Sequence, residues 1–145
     1  MQLPWYVAAL GAAVVWGIHY PLLDQALRRL SLVTVLVLTA LPIVLLAPFY
    51  YKTLVADLDV FRRLPWPEQG TILALTVTTL AGAVLLFLSI AGKNATLAAL
   101  IEVSYPVFVA LFAWLLFREV HITPSVVTGA VLVFAGVALI VWHNP

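Results

Sequence analysis

The chain has 145 residues, of which 65% are hydrophobic and only 9% are charged, whereas an ordinary soluble domain carries roughly 25% charged residues. This composition excludes a domain that folds in water. Lys and Arg total 7 against 6 for Asp and Glu, and the net charge of +1 excludes nucleic acid as a partner because it offers no basic surface to a phosphate backbone. The absence of cysteine excludes disulfides, thiolate nucleophiles and cysteine-based metal sites.

The lipid bilayer is the environment that this composition predicts. A helix needs roughly 20 apolar residues to cross about 30 Å of hydrocarbon, and five runs of about that length occur. We therefore predict an all-α polytopic membrane protein, with residues 1–145 forming a single domain of five transmembrane helices. The predicted spans run from about Leu3 to Tyr20, Leu32 to Tyr51, Thr71 to Ala91, Ala95 to Phe117 and Pro124 to Trp142.

The ends of the last three spans carry the residues that begin and end helices. Gly92 and Lys93 predict the end of the third helix, because glycine adopts the terminal conformation and a cation favours the negative end of the helix dipole. Asn94 is the predicted N-cap of the fourth helix. Thr123 is the predicted N-cap of the fifth, with Pro124 at the first helical position, where proline's missing N–H has no consequence.

The longest connection, from Lys52 to Gly70, holds six of the 13 charged residues, more than any other connection. Its apolar residues recur at helical spacing, which predicts a short helix at the membrane interface, although a plain loop is an equally simple interpretation. These apolar residues are Leu54, Leu58, Phe61 and Leu64.

The loops on the two sides of the membrane carry nearly equal numbers of Lys and Arg. The positive-inside rule orients a protein by the excess of these residues on the cytoplasmic side, so it gives almost no preference here. One interpretation is that the chain inserts in both orientations and forms antiparallel dimers; the other is a single orientation set by one or two dominant residues. One side receives Lys52, Arg62, Arg63 and Arg118, and the other receives Arg28, Arg29 and Lys93.

Glu102 is the main candidate for function, because a carboxyl group inside hydrocarbon costs roughly 2.5 kcal/mol or more unless it is neutralised, paired or hydrated. It lies about 10 Å along the fourth helix from Ala95. Desolvation penalises its charged form, which suits it to exchange a proton or to hold a cationic substrate. The structural alternative is a hydrogen bond to a nearby hydroxyl, or a salt bridge to Lys93. The candidate hydroxyls are those of Ser104, Thr76, Thr78 and Thr79.

Tyr105 and Pro106 follow Glu102 by three and four residues and so share its face of a helix. Pro106 leaves the backbone carbonyl of Glu102 without its usual N–H partner. The predicted kink and the acid therefore coincide. Irregular backbone at this depth is tolerated where it lines a cavity or is buried in protein, which favours a substrate path or, alternatively, a kink needed only for packing.

A second cluster lies near the end of the first span, where Trp16, His19 and Tyr20 are neighbours at helical spacing. Aromatic rings beside a titratable histidine suit an aromatic wall for an organic cation. Interfacial anchoring of the rings is the alternative. In the fifth span, Gly129 and Gly136 place small residues at a seven-residue repeat, which predicts close helix packing within one chain or between two chains.

The sequence contains no HExxH, GxSxG or GxxxxGK[ST] motif, so the common signatures of metalloproteases, serine hydrolases and P-loop ATPases are missing. We therefore predict that the protein is not an enzyme, and we predict no cofactor and no metal site.

The stretch from Asn94 to Phe108, NATLAALIEVSYPVF, continues as VALFAWLLFREVHITPSVVTGAVLVFAGVALIVW. It resembles the closing half of an EamA-type domain of the drug/metabolite transporter superfamily, in which a helix with an acid and a proline precedes a Glu and a final helix with the pattern G-x-x-L-x-x-x-G. Trp16-Gly17 is similar to that family's opening W-G, so the resemblance covers nearly the whole chain. The other matching residues are Glu102, Pro106, Glu119, Gly129, Leu132 and Gly136.

This resemblance implies a secondary transporter, often an exporter of metabolites, amino acids or drugs, in a bacterial or archaeal cell membrane. Most members are similar to two five-helix halves fused in inverted orientation, and this chain holds one half. The resemblance therefore implies a homodimer, antiparallel or not, or a pairing with a paralogous half. The four-helix exporters of the superfamily carry their essential acid in the first helix, which has none here, so their mechanism does not transfer to Glu102.

The leading prediction is a dimeric transporter, an exporter of small amphipathic molecules with a cavity near the bilayer midplane. Glu102 is the predicted proton or cation site, Tyr105, Trp16 and His19 its surroundings, and Pro106 the kink that permits movement. Gly129 and Gly136 are the predicted packing seam. The alternative is a non-transporting membrane subunit that packs against a larger integral-membrane partner, with Glu102 a structural acid.

Overall fold

The computed structural model describes residues 4–118 and 123–144, with the backbone alone at Trp5. Leu3 and Glu119, which enter the sequence predictions, lie outside the described residues. Over the described ranges the chain is helical, and no strand occurs in them. The helices are α1 (Trp5–Leu27), α2 (Leu32–Leu46), a 3₁₀ helix (Ala47–Tyr50), α3 (Tyr51–Arg63), α4 (Trp66–Gly92), α5 (Ala95–Glu102), α6 (Tyr105–Phe117) and α7 (Pro124–His143).

Five helical stretches of the described chain are long and apolar enough to cross a membrane. They confirm the predicted all-α polytopic class. The stretches are Tyr6–Leu27, Leu32–Arg63, Trp66–Gly92, Ala95–Phe117 and Pro124–His143.

Helix α1 extends to Leu27, beyond the predicted end of the first span at Tyr20. Pro21 lies inside the helix. A proline removes one backbone hydrogen bond, but the six residues that follow it continue the helix. Asp24 accepts hydrogen bonds from Arg28 one turn later, at 3.2 Å between Nε and Oδ1, a pairing that supports a helix end. The apolar run therefore ends before the helix does.

The second span differs from its prediction at its far end. Helix α2 ends at Leu46, and the chain tightens into the 3₁₀ helix before α3 begins at Tyr51. Pro48 has no N–H to return to the carbonyl four residues earlier, which explains why the ladder tightens at this point. Helix α3 is amphipathic and ends in Arg62 and Arg63; the helical interpretation of this segment is confirmed and the loop interpretation is wrong.

The helix of the third predicted span is longer than the span itself, because α4 starts at Trp66 and the predicted span starts near Thr71. Glu68 lies in the first turn, where the negative charge of a carboxylate stabilises the helix by its interaction with the positive end of the helix dipole. The side-chain amide nitrogen Nε2 of Gln69 donates to the backbone carbonyl of Leu64 at 2.7 Å. Polar residues thus extend the helix beyond its apolar part.

The predicted positions of three helix ends, at Gly92, Asn94 and Thr123, are confirmed. Helix α4, the third span, ends at Gly92, but the φ of this glycine is not positive, so the expected left-handed terminal conformation does not occur there. The side chain of Asn94 accepts a hydrogen bond from the N–H of Leu97 at 2.9 Å, and that of Thr123 accepts one from the N–H of Val126 at 3.3 Å. Pro124 is the first residue of α7.

The chain forms two compact units. One comprises α1 up to Pro21 and the described residues from Lys93 onward. In it α5 packs against α7, and the rings of Phe108 and Phe134 meet edge to face at 6.2 Å between centroids. The other is Leu22–Gly92, in which α2 packs against α4. The buried side chains of this second unit are Leu23, Val35, Phe87 and Ile90.

Candidate functional site

Glu102 is the last residue of α5 and is half-buried. Its carboxylate oxygen Oε2 accepts a hydrogen bond from the phenol hydroxyl of Tyr20. Tyr20 is half-buried on α1, and both residues belong to the first unit. This bond joins residues 82 positions apart in the chain, so it fixes the side of α1 that faces the end of α5.

The aromatic cluster of α1 is connected to the carboxylate through Tyr20. The Trp16 ring meets the Tyr20 ring at 6.2 Å between centroids and the His19 ring at 5.0 Å, both in edge-to-face arrangements. Such arrangements are favourable because the positive edge of one ring faces the negative face of the other. Trp16 remains 53% exposed. The structure therefore brings the two sequence clusters, one on α1 and one on α5, to a single location.

The helical ladder of the fourth span is interrupted directly after Glu102. Val103 and Ser104 form a turn between α5 and α6, and both keep right-handed helical dihedral angles. The N–H and the hydroxyl of Ser104 both donate to the carbonyl of Ile101, at 3.1 and 2.8 Å. Pro106 is at the second position of α6 and offers no N–H to the carbonyl of Glu102. The predicted kink is thus a short break in the hydrogen-bond ladder.

Tyr105 begins α6 and is 60% exposed. It lines an open apolar groove along that helix together with Phe108 and Phe112. In the described part of the chain, the Glu102 carboxylate is bonded by Tyr20 and not by Tyr105. Tyr105 is therefore near the acid in sequence, while the phenol that reaches the acid comes from α1.

The hydroxyl groups that the sequence offered as structural partners of Glu102 donate to backbone carbonyls of their own helices. Ser104 donates to Ile101, as described above. In α4, Thr76 donates to Leu73 at 2.7 Å, Thr78 to Ala74 at 2.8 Å and Thr79 to Leu75 at 2.7 Å. These hydroxyls therefore have partners within their own helices, and the hydroxyl that donates to Glu102 in the first unit is the phenol of Tyr20.

The seam of small residues on α7 is open in the described structure. A Cβ atom added at Gly129 or Gly136 would meet no described heavy atom within 4 Å. Close packing of another helix over these two positions therefore does not occur among the described residues. Nor do any three His, Asp or Glu side chains of the described ranges come together as metal ligands would.

A family model matches nearly the whole chain. The family model of the EamA-like transporters matches residues 3–142. The chain belongs to this family. No curated protein and no solved structure matches the chain. The family places the protein in the drug/metabolite transporter superfamily, and together with the five apolar helices it makes the protein an integral, multi-pass membrane protein.

The residue that sequence analysis undervalued is Tyr20. Its spacing of four from Trp16 puts both on one face of α1, and that signal grouped it with the aromatic cluster. The spacing contains no information on which helix lies opposite this face. Only the folded chain brings the hydroxyl to a carboxylate on another helix.

Proposed function

We propose that the protein is a secondary transporter that exports small amphipathic metabolites or drugs and acts as a dimer of five-helix halves in the cell membrane of a bacterium or archaeon. Membership in a transporter family supports the class of activity. The observation that carries the proposal is the half-buried carboxylate of Glu102, held by Tyr20 where the helix of the fourth span is interrupted. Intramembrane acids of this kind mark substrate and proton paths.

In this proposal Glu102 is the proton or cation site. A carboxylate in a low-dielectric site binds a proton or an organic cation strongly because water competes little for it. Trp16, His19 and Tyr105 line the path, and the exposed rings of Trp16 and Tyr105 offer surface for the apolar part of the substrate. The break between α5 and α6 at Pro106 supplies backbone that adjusts as one half of the dimer moves against the other.

The five candidate spans support the proposed dimer of halves, because they are the number that the family resemblance assigns to one half. The open seam at Gly129 and Gly136 supports an approach by a helix of a second copy. A single cysteine introduced as His143→Cys tests the arrangement, since the chain has no other cysteine. Labelling of about half the population from each side of intact cells, expected from the even charge balance, indicates an antiparallel dimer. Labelling from one side only requires a parallel dimer or an oppositely inserted partner.

Proton-coupled flux in proteoliposomes tests the transport function. Liposomes containing the purified protein and a pH-sensitive dye are given a pH gradient, and amphipathic amines, amino acids and quaternary ammonium compounds are added in turn. We expect the wild type to dissipate the gradient with a subset of these compounds, and Glu102→Gln to reduce the flux to that of protein-free liposomes. Glu68→Gln is the matched control, because Glu68 is exposed in the first turn of α4.

Undiminished proton-coupled flux in Glu102→Gln would contradict the assignment of the site. The alternative function, a non-transporting subunit packed against a larger membrane partner, predicts a different result. It requires that the wild type inserts and dimerises but shows neither flux nor ligand-dependent stabilisation with any compound of the panel.

A further inference from the structure

Tyr20 and Glu102 form a side-chain pair between α1 and α5 that the family match does not assign to any role. The phenol hydroxyl is the donor and oxygen Oε2 is the acceptor. An ionised carboxylate has two oxygens and about four acceptor positions. Tyr20 engages one of these oxygens, so the pair fixes the orientation of the carboxylate without using all of its binding capacity.

Each member of the pair is next to a point where a proline removes a backbone hydrogen bond. Pro21 follows Tyr20 directly and offers no N–H to the carbonyl of Gly17. Pro106 likewise leaves the carbonyl of Glu102 without its helical donor. The hydrogen bond therefore connects two segments whose own ladders are incomplete, and it restrains a carboxylate whose backbone support is weak.

Trp16 supports the phenol from one turn earlier on α1. Its ring contacts the Tyr20 ring edge to face, with centroids 6.2 Å apart. A tyrosine held by a ring contact and by its own helix has few rotamers available. The Tyr20 hydroxyl therefore has a fixed position, and a residue that orients a charged group must itself be held in place.

We propose that Tyr20 is the positioning residue of Glu102: its hydroxyl holds Oε2, so that the remaining acceptor positions of the carboxylate are presented to a proton or an organic cation. This inference rests on the transport function proposed above. Without the phenol, the carboxyl group loses its fixed orientation and its charged form loses a donor. Tyr20 acts through Glu102 and needs no contact of its own with the substrate.

Reaction of Glu102 with dicyclohexylcarbodiimide tests the inference without any transported substrate. This apolar reagent enters the membrane and modifies the protonated acid. A hydrogen bond from a hydroxyl to the carboxylate stabilises the charged form, which does not react. The protein in nanodiscs is treated with the reagent at fixed pH, and the modified residues are identified and quantified by mass spectrometry. Tyr20→Phe should accelerate the modification of Glu102 about tenfold, the effect of one hydrogen bond to a charged group.

Two controls separate positioning from a general loosening of the fold. Tyr51→Phe removes a phenol hydroxyl from the exposed start of α3 and should leave the rate at Glu102 unchanged. The rate at Glu68, measured in the same samples, should be the same in all variants. A parallel increase at Glu68 and Glu102 in Tyr20→Phe would mean that the variant is merely unfolded in part, and would contradict the inference.

An unchanged rate of Glu102 modification in Tyr20→Phe would overturn the inference. Absence of modification in both the wild type and Tyr20→Phe would overturn it too, since loss of the phenol hydroxyl would then not make the carboxyl group more reactive. Failure of the transport function gives a different pattern. Faster modification in Tyr20→Phe together with no flux in the wild type leaves the positioning role intact and removes the transport function. Flux that depends on Glu102, together with an unchanged modification rate in Tyr20→Phe, leaves the transport function intact and removes the positioning role.

Discussion

Two consecutive spans of similar length deal with polar groups in opposite ways. Helix α4 runs without interruption for 27 residues, although Thr76, Thr78 and Thr79 lie in its middle. The next span, Ala95–Phe117, has 23 residues and is interrupted at Val103 and Ser104, immediately after its only carboxylate.

The difference lies in where each polar group finds its partner. A threonine hydroxyl in a helix reaches a backbone carbonyl three or four residues earlier, as Thr76, Thr78 and Thr79 do. A carboxylate only accepts hydrogen bonds, and the N–H groups of its own helix are already used. Glu102 therefore takes its donor, Tyr20, from α1. The polar groups of α4 therefore find their partners within one helix, whereas the carboxylate of the next span takes its partner from another helix.

The largest effect is expected from restoring the missing N–H at the break. Pro106→Ala gives the carbonyl of Glu102 a helical donor and joins α5 to α6, which should stabilise the protein by about 1 kcal/mol or more and reduce proton-coupled flux about tenfold. Pro42→Ala is the matched control, because Pro42 lies inside the continuous helix α2. It should raise stability similarly and leave flux unchanged. Equal flux in the two variants, measured in proteoliposomes, would remove the functional role of the break.

A second, smaller difference should appear in hydrogen exchange of the wild type. The amides of Ser104 and Val107 donate to carbonyls three residues earlier, both at 3.1 Å, and such bonds have poorer geometry than those of an α-helix. We expect these amides to exchange about tenfold faster than those of Thr78 and Thr79 in the middle of α4, as local opening requires less free energy there. Nanodisc exchange followed by mass spectrometry measures both segments in one sample. Equal protection would mean that the two spans are equally rigid.

The smallest effect is expected from the hydroxyls that bond within their own segment. Thr78→Val and Ser104→Ala each remove a hydroxyl that donates to a nearby backbone carbonyl, and each should change the free energy of unfolding by no more than about 0.5 kcal/mol. Denaturant titration in detergent measures both. A large loss for Ser104→Ala alone would show that the break depends on this hydroxyl, and would sharpen the contrast between the spans.

Much of the architecture was predictable because hydropathy alone sets the number of spans. The caps at Asn94 and Thr123 were predictable as well, since their hydrogen bonds are local. The helix ends at Leu27 and Trp66 were not, because polar residues extend helices beyond the apolar run that identifies them. Pro21 and Pro106 illustrate a further limit. The first lies inside a continuous helix and the second after a break, and the sequence around a proline does not distinguish these two cases.

The candidate site was predictable only in part. Glu102 was identified from the cost of a carboxyl group in hydrocarbon, an argument that needs no knowledge of the fold. Its partner depends on which faces of α1 and α5 meet, and helical spacing groups residues within a helix without relating one helix to another. Tyr20 therefore belonged to the correct cluster while its bond to Glu102 became visible only in the structure.

The most direct test of the central claim, that the interrupted span lines the substrate path, compares two single cysteines at similar depth. The chain has none of its own. In Ser104→Cys the new cysteine lies about 14 Å along the helix from the start of its span at Ala95. In Thr78→Cys it lies about 18 Å from the start of α4 at Trp66. Both proteins, in proteoliposomes, are treated with a small, charged, water-soluble thiol reagent. The account predicts that cysteine 104 reacts and cysteine 78 does not; equal reactivity of the two, or a reaction at 78 alone, would contradict it.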